Sequence, residues 1–372
     1  MKKRRIVLAS LLKPVNDTRM FEKMGVSLER SGQYDVHIIG YPSTTNWSES
    51  NVRFHLLPKF KRISFDRILS RLKVLQLVIK LKPELLIVTT PELLGVAILI
   101  RILFGAKIIY DIQENYWRNI LFTNAFPKGT RTIIACLVRF KEIIASPFIT
   151  QFILAEKGYL NELTFIKNKF IVIENKCQIP QGFQRNPNND FIQLIFTGTI
   201  AESTGIFQVI GLVKKLHVAE LKIRLTIIGY CAQPKVLRQI EMEVSQNSFI
   251  SLIGGKDLIP HSSIMNAIGT ASFGIVYYPL SPHTENKIPT KLYEYLACQL
   301  PILLQNNKPW EEMCFPFNAA ITIDFEQPAV ELILRKIHSE IFYAAVHGDI
   351  NLGQMTWESE EGKLLNLINN IF

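Results

Sequence analysis

Short apolar runs alternate with amphipathic stretches along the chain. Ile6–Ala9, Val36–Ile39, Leu85–Thr89 and Lys107–Tyr110 are rich in Ile, Val and Leu, as in strands buried on both faces. Between them, Thr18–Arg30, Arg67–Leu81 and Leu93–Phe104 space their apolar positions at three and four, which predicts helices. Arg131–Leu163 reads as a helix, a strand near Phe148–Leu154 and a short helix, and Ile171–Ile173 follows as a strand. The pattern then restarts. Phe191–Phe196, Lys222–Ile228, Phe249–Ile253, Ser272–Val276 and Pro301–Leu304 read as strands, and Gly205–His217, Pro234–Ser245, His261–Ile268 and Pro289–Ala297 as helices. Thr356–Phe372 is a last amphipathic helix. Strands alternating with helices predict parallel sheets covered on both faces, an α/β class.

Between the two series, Asn175–Asp190 holds two prolines, four asparagines and little apolar content, so it reads as a linker. A chain of 372 residues usually forms two domains, and 48% hydrophobic residues suffice for two cores. Cys136, Cys177, Cys231, Cys298 and Cys314 are scattered and form no CxxC pair, which favours a reducing, cytoplasmic setting. The basic start, Met1–Arg5, and the short apolar run to Leu12 lack a small-residue cleavage site and read as a first strand, Arg5–Ser10. No run of about 18 apolar residues is present, since Arg101, Gly105 and Lys107 interrupt Leu93–Ile109.

Candidate chemistry concentrates in Asn286–Ala297 (NKIPTKLYEYLA). Pro289 suits the first turn of a helix, where its missing N–H has no intrahelical partner. Lys291 and Glu294 are three apart and share a face. A helix N-terminus with a lysine suits phosphate, and a carboxylate suits sugar hydroxyls. An exposed ion pair on an ordinary helix is the competing explanation. At the end of another strand, Thr197-Gly198-Thr199 could let backbone N–H groups approach a phosphate, or could be a plain turn. Asp111-Ile112-Gln113-Glu114-Asn115 ends a strand of the first half and would face a ligand, unless Asp111 caps a helix there. Neither GxGxxG nor GxxxxGK[ST] occurs, which removes the main support for dinucleotide and P-loop chemistry.

In their order and spacing these motifs resemble the bacterial retaining glycosyltransferases of family four. Those enzymes have two Rossmann-like domains facing across a cleft, the GT-B fold. The resemblance runs from Asn16-Asp17-Thr18-Arg19 through Tyr110–Glu114 and Phe196–Thr199. It is sharpest at Asn286 and Pro289–Ala297 with Leu300-Pro301-Ile302, and it closes at Thr356-Trp357-Glu358. It implies an acceptor domain at 1–176, completed by a C-terminal helix at about 356–372 packing back on it, and a donor domain at 190–355. The activity implied is transfer of a hexosyl or related sugar from a nucleotide sugar, UDP- or GDP-linked, to a saccharide or lipid-linked saccharide, with retention, in cell-surface polysaccharide synthesis. Glu294 would bind the ribose hydroxyls. Lys291, with the backbone of Pro289 and Thr290, would lie by the diphosphate, Gly198 and Thr199 on its other side, and Gly254 near the base. Asn286 would also contact the donor. Lys291, Glu294, Gln113 and Glu114 are the implied catalytic set. Asp17, Arg19 and Asp111 would lie on the acceptor side, although an intradomain salt bridge also explains Asp17 and Arg19. No cofactor or metal is implied; Lys291, Lys287 and a helix dipole would take a divalent ion's place. Three positions depart from the family: Gln113 replaces a usual His, Asn286 a usual Glu, and Thr204-Gly205 a usual Lys-Gly. These departures leave open a noncatalytic partner of a glycosyltransferase. A GT-B nucleotide-sugar epimerase shares the donor half.

The net charge of +10 and pI near 9.3 could signal nucleic acid, but no basic motif interleaved with aromatics supports it. Lys59–Lys82 carries eight Lys/Arg against one acid, Asp66, with Ile68, Leu72, Leu75 and Ile79 in a stripe. This suits an anionic membrane at the inner face, or a domain helix on the sheet with a solvated basic edge.

Overall fold

The structure is a computed structural model. It describes all residues except 1–2, 43–49, 59–63, 65, 123–125, 189, 281–283, 285–286 and 345–350. Asn286, Lys59, Lys61 and Arg62 therefore lie outside the described residues. The chain divides into two compact units, Met1–Asn175 with Ser359–Phe372, and Lys176–Glu358.

The first unit contains a seven-stranded parallel sheet. In chain order its elements are β1 (Arg4–Pro14), α1 (Val26–Arg30), β2 (Tyr34–Tyr41), β3 (Arg53–Leu56), α2 (Asp66–Leu81), β4 (Leu85–Val88), α3 (Leu94–Phe104), β5 (Lys107–Ile112), α4 (Tyr116–Phe122), α5 (Arg131–Ala145), β6 (Gln151–Leu154) and β7 (Phe170–Val172). The strand order is β3-β2-β1-β4-β5-β6-β7. Every side chain of β4 is buried, as its unbroken apolar run demands. The helix expected over Thr18–Arg30 begins as a π-helix, Thr18–Gly25, before α1. Apolar spacing over so short a stretch does not separate the two windings. Edge strand β3 escapes the sequence pattern because it is short and only half-buried.

The second unit repeats the plan with β8 (Ile192–Thr199), α6 (Ile206–Ala219), β9 (Ile223–Tyr230), α7 (Pro234–Gln246), β10 (Ile250–Gly255), α8 (His261–Thr270), β11 (Phe273–Val276), α9 (Thr290–Ala297), β12 (Ile302–Gln305), α10 (Lys308–Cys314), β13 (Ala320–Ile323) and α11 (Val330–Ser339). The order β10-β9-β8-β11-β12-β13 is parallel throughout. Strand β12 starts after Pro301, which has no N–H for the ladder; its carbonyl accepts from Gly274 N at 2.8 Å. The segment that reads as a linker packs on this unit. The Arg185 guanidinium donates to the carbonyls of Gln299 (2.6 Å) and Ala271 (2.7 Å).

The last helix, α12 (Glu358–Ile371), belongs almost entirely to the first unit. The Tyr34 hydroxyl donates to Asn369 Oδ1 at 2.6 Å, and Arg4 lies 4.5 Å from the Phe372 ring centre. On α2, Ser70, Val74 and Val78 are buried, and the stripe residues Ile68, Leu72 and Ile79 are exposed, with only Leu75 packed against the core. The apolar stripe of the sequence is mostly the outer face, because the small Ser70 and the β-branched valines fit against the sheet.

Candidate functional site

The site is built around α9. Pro289 sits extended just before it (φ −66°, ψ 138°), and the eight-residue helix buries Leu292, Tyr293, Tyr295 and Leu296. The Tyr295 hydroxyl lies 3.1 Å from Thr197 Oγ1, locking α9 to the carboxyl-terminal half of β8. Its ring fills the space beside Gly274, where a Cβ would come within 2.4 Å. Trp310 donates from Nε1 to the Lys287 carbonyl at 2.7 Å and so pins the approach to the helix.

Lys291 is only 5% exposed, so it is not half of a surface ion pair. Its ammonium lies 3.6 Å from the ring centre of Phe196 and 5.4 Å from that of Tyr278. Among the described residues it has no hydrogen-bond partner. Burial lowers its pKa to about 7, against the opposing pull of the Glu294 carboxylate. Two aromatic faces compensate a buried cation only partly, and an ammonium with unused donors in such a place is prepared for an anion.

Glu294 has a partner on another helix. His261, the first residue of α8, donates from Nε2 to Glu294 Oε1 at 3.1 Å. The bond gives the carboxylate one fixed donor and joins two helices of the unit.

Glycines meet in register within the sheet of this unit. Gly198, Gly229 and Gly254 are direct neighbours across β8, β9 and β10, near the carboxyl ends of the strands. A Cβ on Gly229 would stand 1.7 Å from the Gly198 carbonyl oxygen, so the backbones here admit no side chain. Gly205 has φ +73°, and a Cβ there would meet the Tyr277 ring at 2.0 Å. That left-handed turn starts α6 one residue later than the apolar pattern suggests. Thr204 accepts from Ala201 N at 3.1 Å and lies 3.0 Å from the Thr199 carbonyl, so it caps the turn locally. Thr199 and Thr290 are both exposed.

In the first unit, Asp111 lies inside β5 and is fully buried, so it does not cap a helix. Helix α4 begins only at Tyr116, and Asn115 Oδ1 accepts there from Arg118 N at 3.4 Å. Arg19 grips Asp111 with Nε–Oδ2 at 3.0 Å and Nη2–Oδ1 at 2.7 Å, and donates to the Ile173 carbonyl at 2.9 Å. Gln113 donates to the same carboxylate at 2.9 Å. Asp17 accepts from the amides of Arg19 (3.1 Å) and Met20 (3.0 Å), and Lys13 lies 3.3 Å from its carboxylate. Asp17 and Arg19 thus serve intradomain bonding. Glu114 accepts from the side-chain amide of Asn119.

The structure brings Lys291, Glu294, Pro289, Gly198 and Gly254 to one end of the second unit. It adds His261, Phe196, Tyr278 and Trp310, whose roles the sequence leaves unannounced. His261 precedes Glu294 by 33 residues, a separation that carries no periodic signal. Among the described residues no group of three or more His, Cys, Asp or Glu is placed to hold a metal.

No family model and no curated protein matches the chain by sequence. Solved structures do match by fold. Sucrose-phosphate synthase from Thermosynechococcus elongatus aligns with a TM-score of 0.73 at 14% identity, covering 100% of this chain and 99% of that one. HepE from Anabaena, solved with UDP-glucose, aligns at 0.68 and 9% identity over 98% and 99% of the two chains. WaaG, a glycosyltransferase of lipopolysaccharide biosynthesis, aligns at 0.65 and 11% identity over 97% and 95%. Two parallel sheets with interleaved helices, matched along whole chains, give this protein the GT-B fold of glycosyltransferases.

Proposed function

We propose that the protein is a retaining, metal-independent glycosyltransferase of the family-four type. It would move a hexosyl or related sugar from a UDP- or GDP-sugar to a saccharide or lipid-linked saccharide, in cell-surface polysaccharide synthesis on the cytoplasmic side. The observation that carries this reading is the buried ammonium of Lys291 at the start of α9, which has no hydrogen-bond partner among the described residues. When the glycosidic bond to the nucleotide breaks, negative charge collects on the β-phosphate. A fixed cation and the positive end of the α9 dipole stabilise that charge without reorganising. Lys287 would add to it. Glu294, held by His261, would accept from the ribose hydroxyls, with Gly198, Thr199, Asn286 and Thr290 along the diphosphate and Gly254 by the base.

Retention would follow from attack on the face the diphosphate leaves, with a phosphate oxygen taking the acceptor proton. Residues 190–355 would form the donor domain. Residues 1–176 with 356–372 would form the acceptor domain. There Gln113, its amide nitrogen tied to Asp111, would offer its carbonyl oxygen to a sugar hydroxyl, and Glu114 would stand nearby. The likeness in fold to HepE solved with UDP-glucose supports a nucleotide-sugar donor.

Thermal shift against UDP-, GDP-, ADP- and dTDP-glucose tests the reading. One nucleotide at about 100 times its dissociation constant should add about 2.7 kcal/mol. No stabilisation by any of them would count against donor binding. Release of free nucleoside diphosphate only in the presence of acceptor would distinguish transfer from epimerisation and from a noncatalytic partner.

A further inference from the structure

Three helices of the first unit, α2, α3 and α5, pack side by side, α2 against α3 and α3 against α5. Their inner faces close the core; their outer faces are unusually apolar. On α5, Ile133 (64%), Leu137 (62%), Phe140 (62%) and Ile144 (50%) are exposed at helical spacing. Helix α3 adds Ile102 (64%) and Leu103 (55%), and α2 adds Leu69 and Leu72. An exposed apolar surface spread over three helices marks an interaction site.

Charge selects the occupant. The only carboxylates on the three helices are Asp66 and Glu142, and Glu142 is 2% exposed. Basic side chains are set among the apolar ones: Lys73 and Lys80 are exposed on α2, Arg101 is half-buried on α3, and Arg131 and Lys141 are half-buried on α5. A second copy of the chain seated here would bring like charges together. An anionic bilayer takes up the aliphatic and aromatic groups and pairs its phosphates with the cations.

We propose that the outer face of α2, α3 and α5 docks on an anionic phospholipid surface, with the α5 ridge entering the headgroup boundary. The proposal deepens the reading of a lipid-linked acceptor, and it places membrane contact on a three-helix face rather than on the basic segment 59–82 alone.

Cys136 provides a native probe. It is exposed on α5 beside Leu137, and the other four cysteines are buried, so an environment-sensitive dye can be attached to it alone in the folded protein. The full chain is mixed with vesicles of phosphatidylglycerol and phosphatidylcholine, or of phosphatidylcholine alone. The dye should shift to the blue only with the anionic vesicles, and sedimentation should show binding that weakens as salt rises. Lys73→Gln with Lys80→Gln should weaken binding about twenty-fivefold, at about fivefold per charge. Leu137→Asn with Phe140→Asn should weaken it about twenty-fivefold or more, since each buried apolar side chain contributes about fivefold or more. Both variants should keep the parent's melting temperature and nucleotide-sugar shift, which separates a failure of docking from a failure of donor binding. The proposal is overturned if the parent ignores anionic vesicles at low salt. It is equally overturned if the Leu137/Phe140 variant binds like the parent, or if light scattering shows a parent dimer that this variant makes monomeric.

Discussion

His261 Nε2 lies 3.1 Å from Glu294 Oε1, so the carboxylate proposed to hold the donor ribose is itself held by the first residue of a different helix. His261→Ala should weaken nucleotide-sugar binding by about 1.5–3 kcal/mol, the range of a hydrogen bond to a charged group. His261→Asn or Gln, which can still donate, should recover part of it. The loss should appear in donor KM more than in kcat. Equal donor KM in parent and His261→Ala would show that Glu294 does not depend on His261.

Glu294→Ala should abolish transfer and weaken donor binding by a similar or larger factor, with the fold intact. Its side chain is partly exposed and is not among the buried core residues. Calorimetric titration with the nucleotide sugar reads this directly. Unchanged affinity would remove Glu294 from the donor site.

Gly205→Ala should destabilise the second unit by about 1–3 kcal/mol, from a left-handed backbone carrying a Cβ and from displacement of the Tyr277 ring. Urea unfolding measures it. A variant as stable as the parent would mean that the turn and Tyr277 relax freely.

A histidine pair and a buried carboxyl in the first unit respond to pH in opposite directions. His37 and His55 stack with ring nitrogens 2.9 Å apart, and burial lowers both pKa values below 6.5. The unfolded chain therefore binds more protons as pH falls through 6.5, and stability drops. Glu142, 2% exposed, has its pKa raised by burial to about 7, against the opposing pulls of Arg139 and its hydrogen bond from Tyr110. The native state binds the extra proton between about 4.5 and 7, so stability falls as pH rises through that window. Glu142→Gln should raise the melting temperature at pH 8 and have little effect at pH 5. His55→Gln should reduce the loss of stability between pH 7 and 5.5. Parallel melting curves for parent and variants at both ends would refute the assignment.

Most of the architecture is legible in the sequence because parallel strands buried on both faces leave continuous apolar runs, as in Leu85–Val88 and Ile302–Leu304. Strands β3 and β13 and helices α10 and α11 escape because they are short or only partly buried. The spacing of Lys291 and Glu294 shows a shared helix. It does not show that Lys291 is buried between Phe196 and Tyr278, or that Glu294 turns to His261, because those contacts join residues 13 to 95 positions apart. The same blindness to tertiary context leaves the α2 stripe readable as either an inner or an outer face.

The buried Lys291 ammonium is the proposed receiver of the donor diphosphate. With its pKa near 7 in the unliganded protein, Lys291 is largely neutral at pH 8. A diphosphate beside it favours the charged form and raises that pKa, so binding must take up a proton and must weaken as pH rises above 7. Calorimetric titration of UDP or GDP at pH 8, in two buffers of different ionisation enthalpy, counts that proton. The parent should take up close to one proton and Lys291→Ala none, with weaker binding in the variant. Nucleotide binding by the parent with no proton uptake, or binding by Lys291→Ala with the parent's affinity, would contradict it.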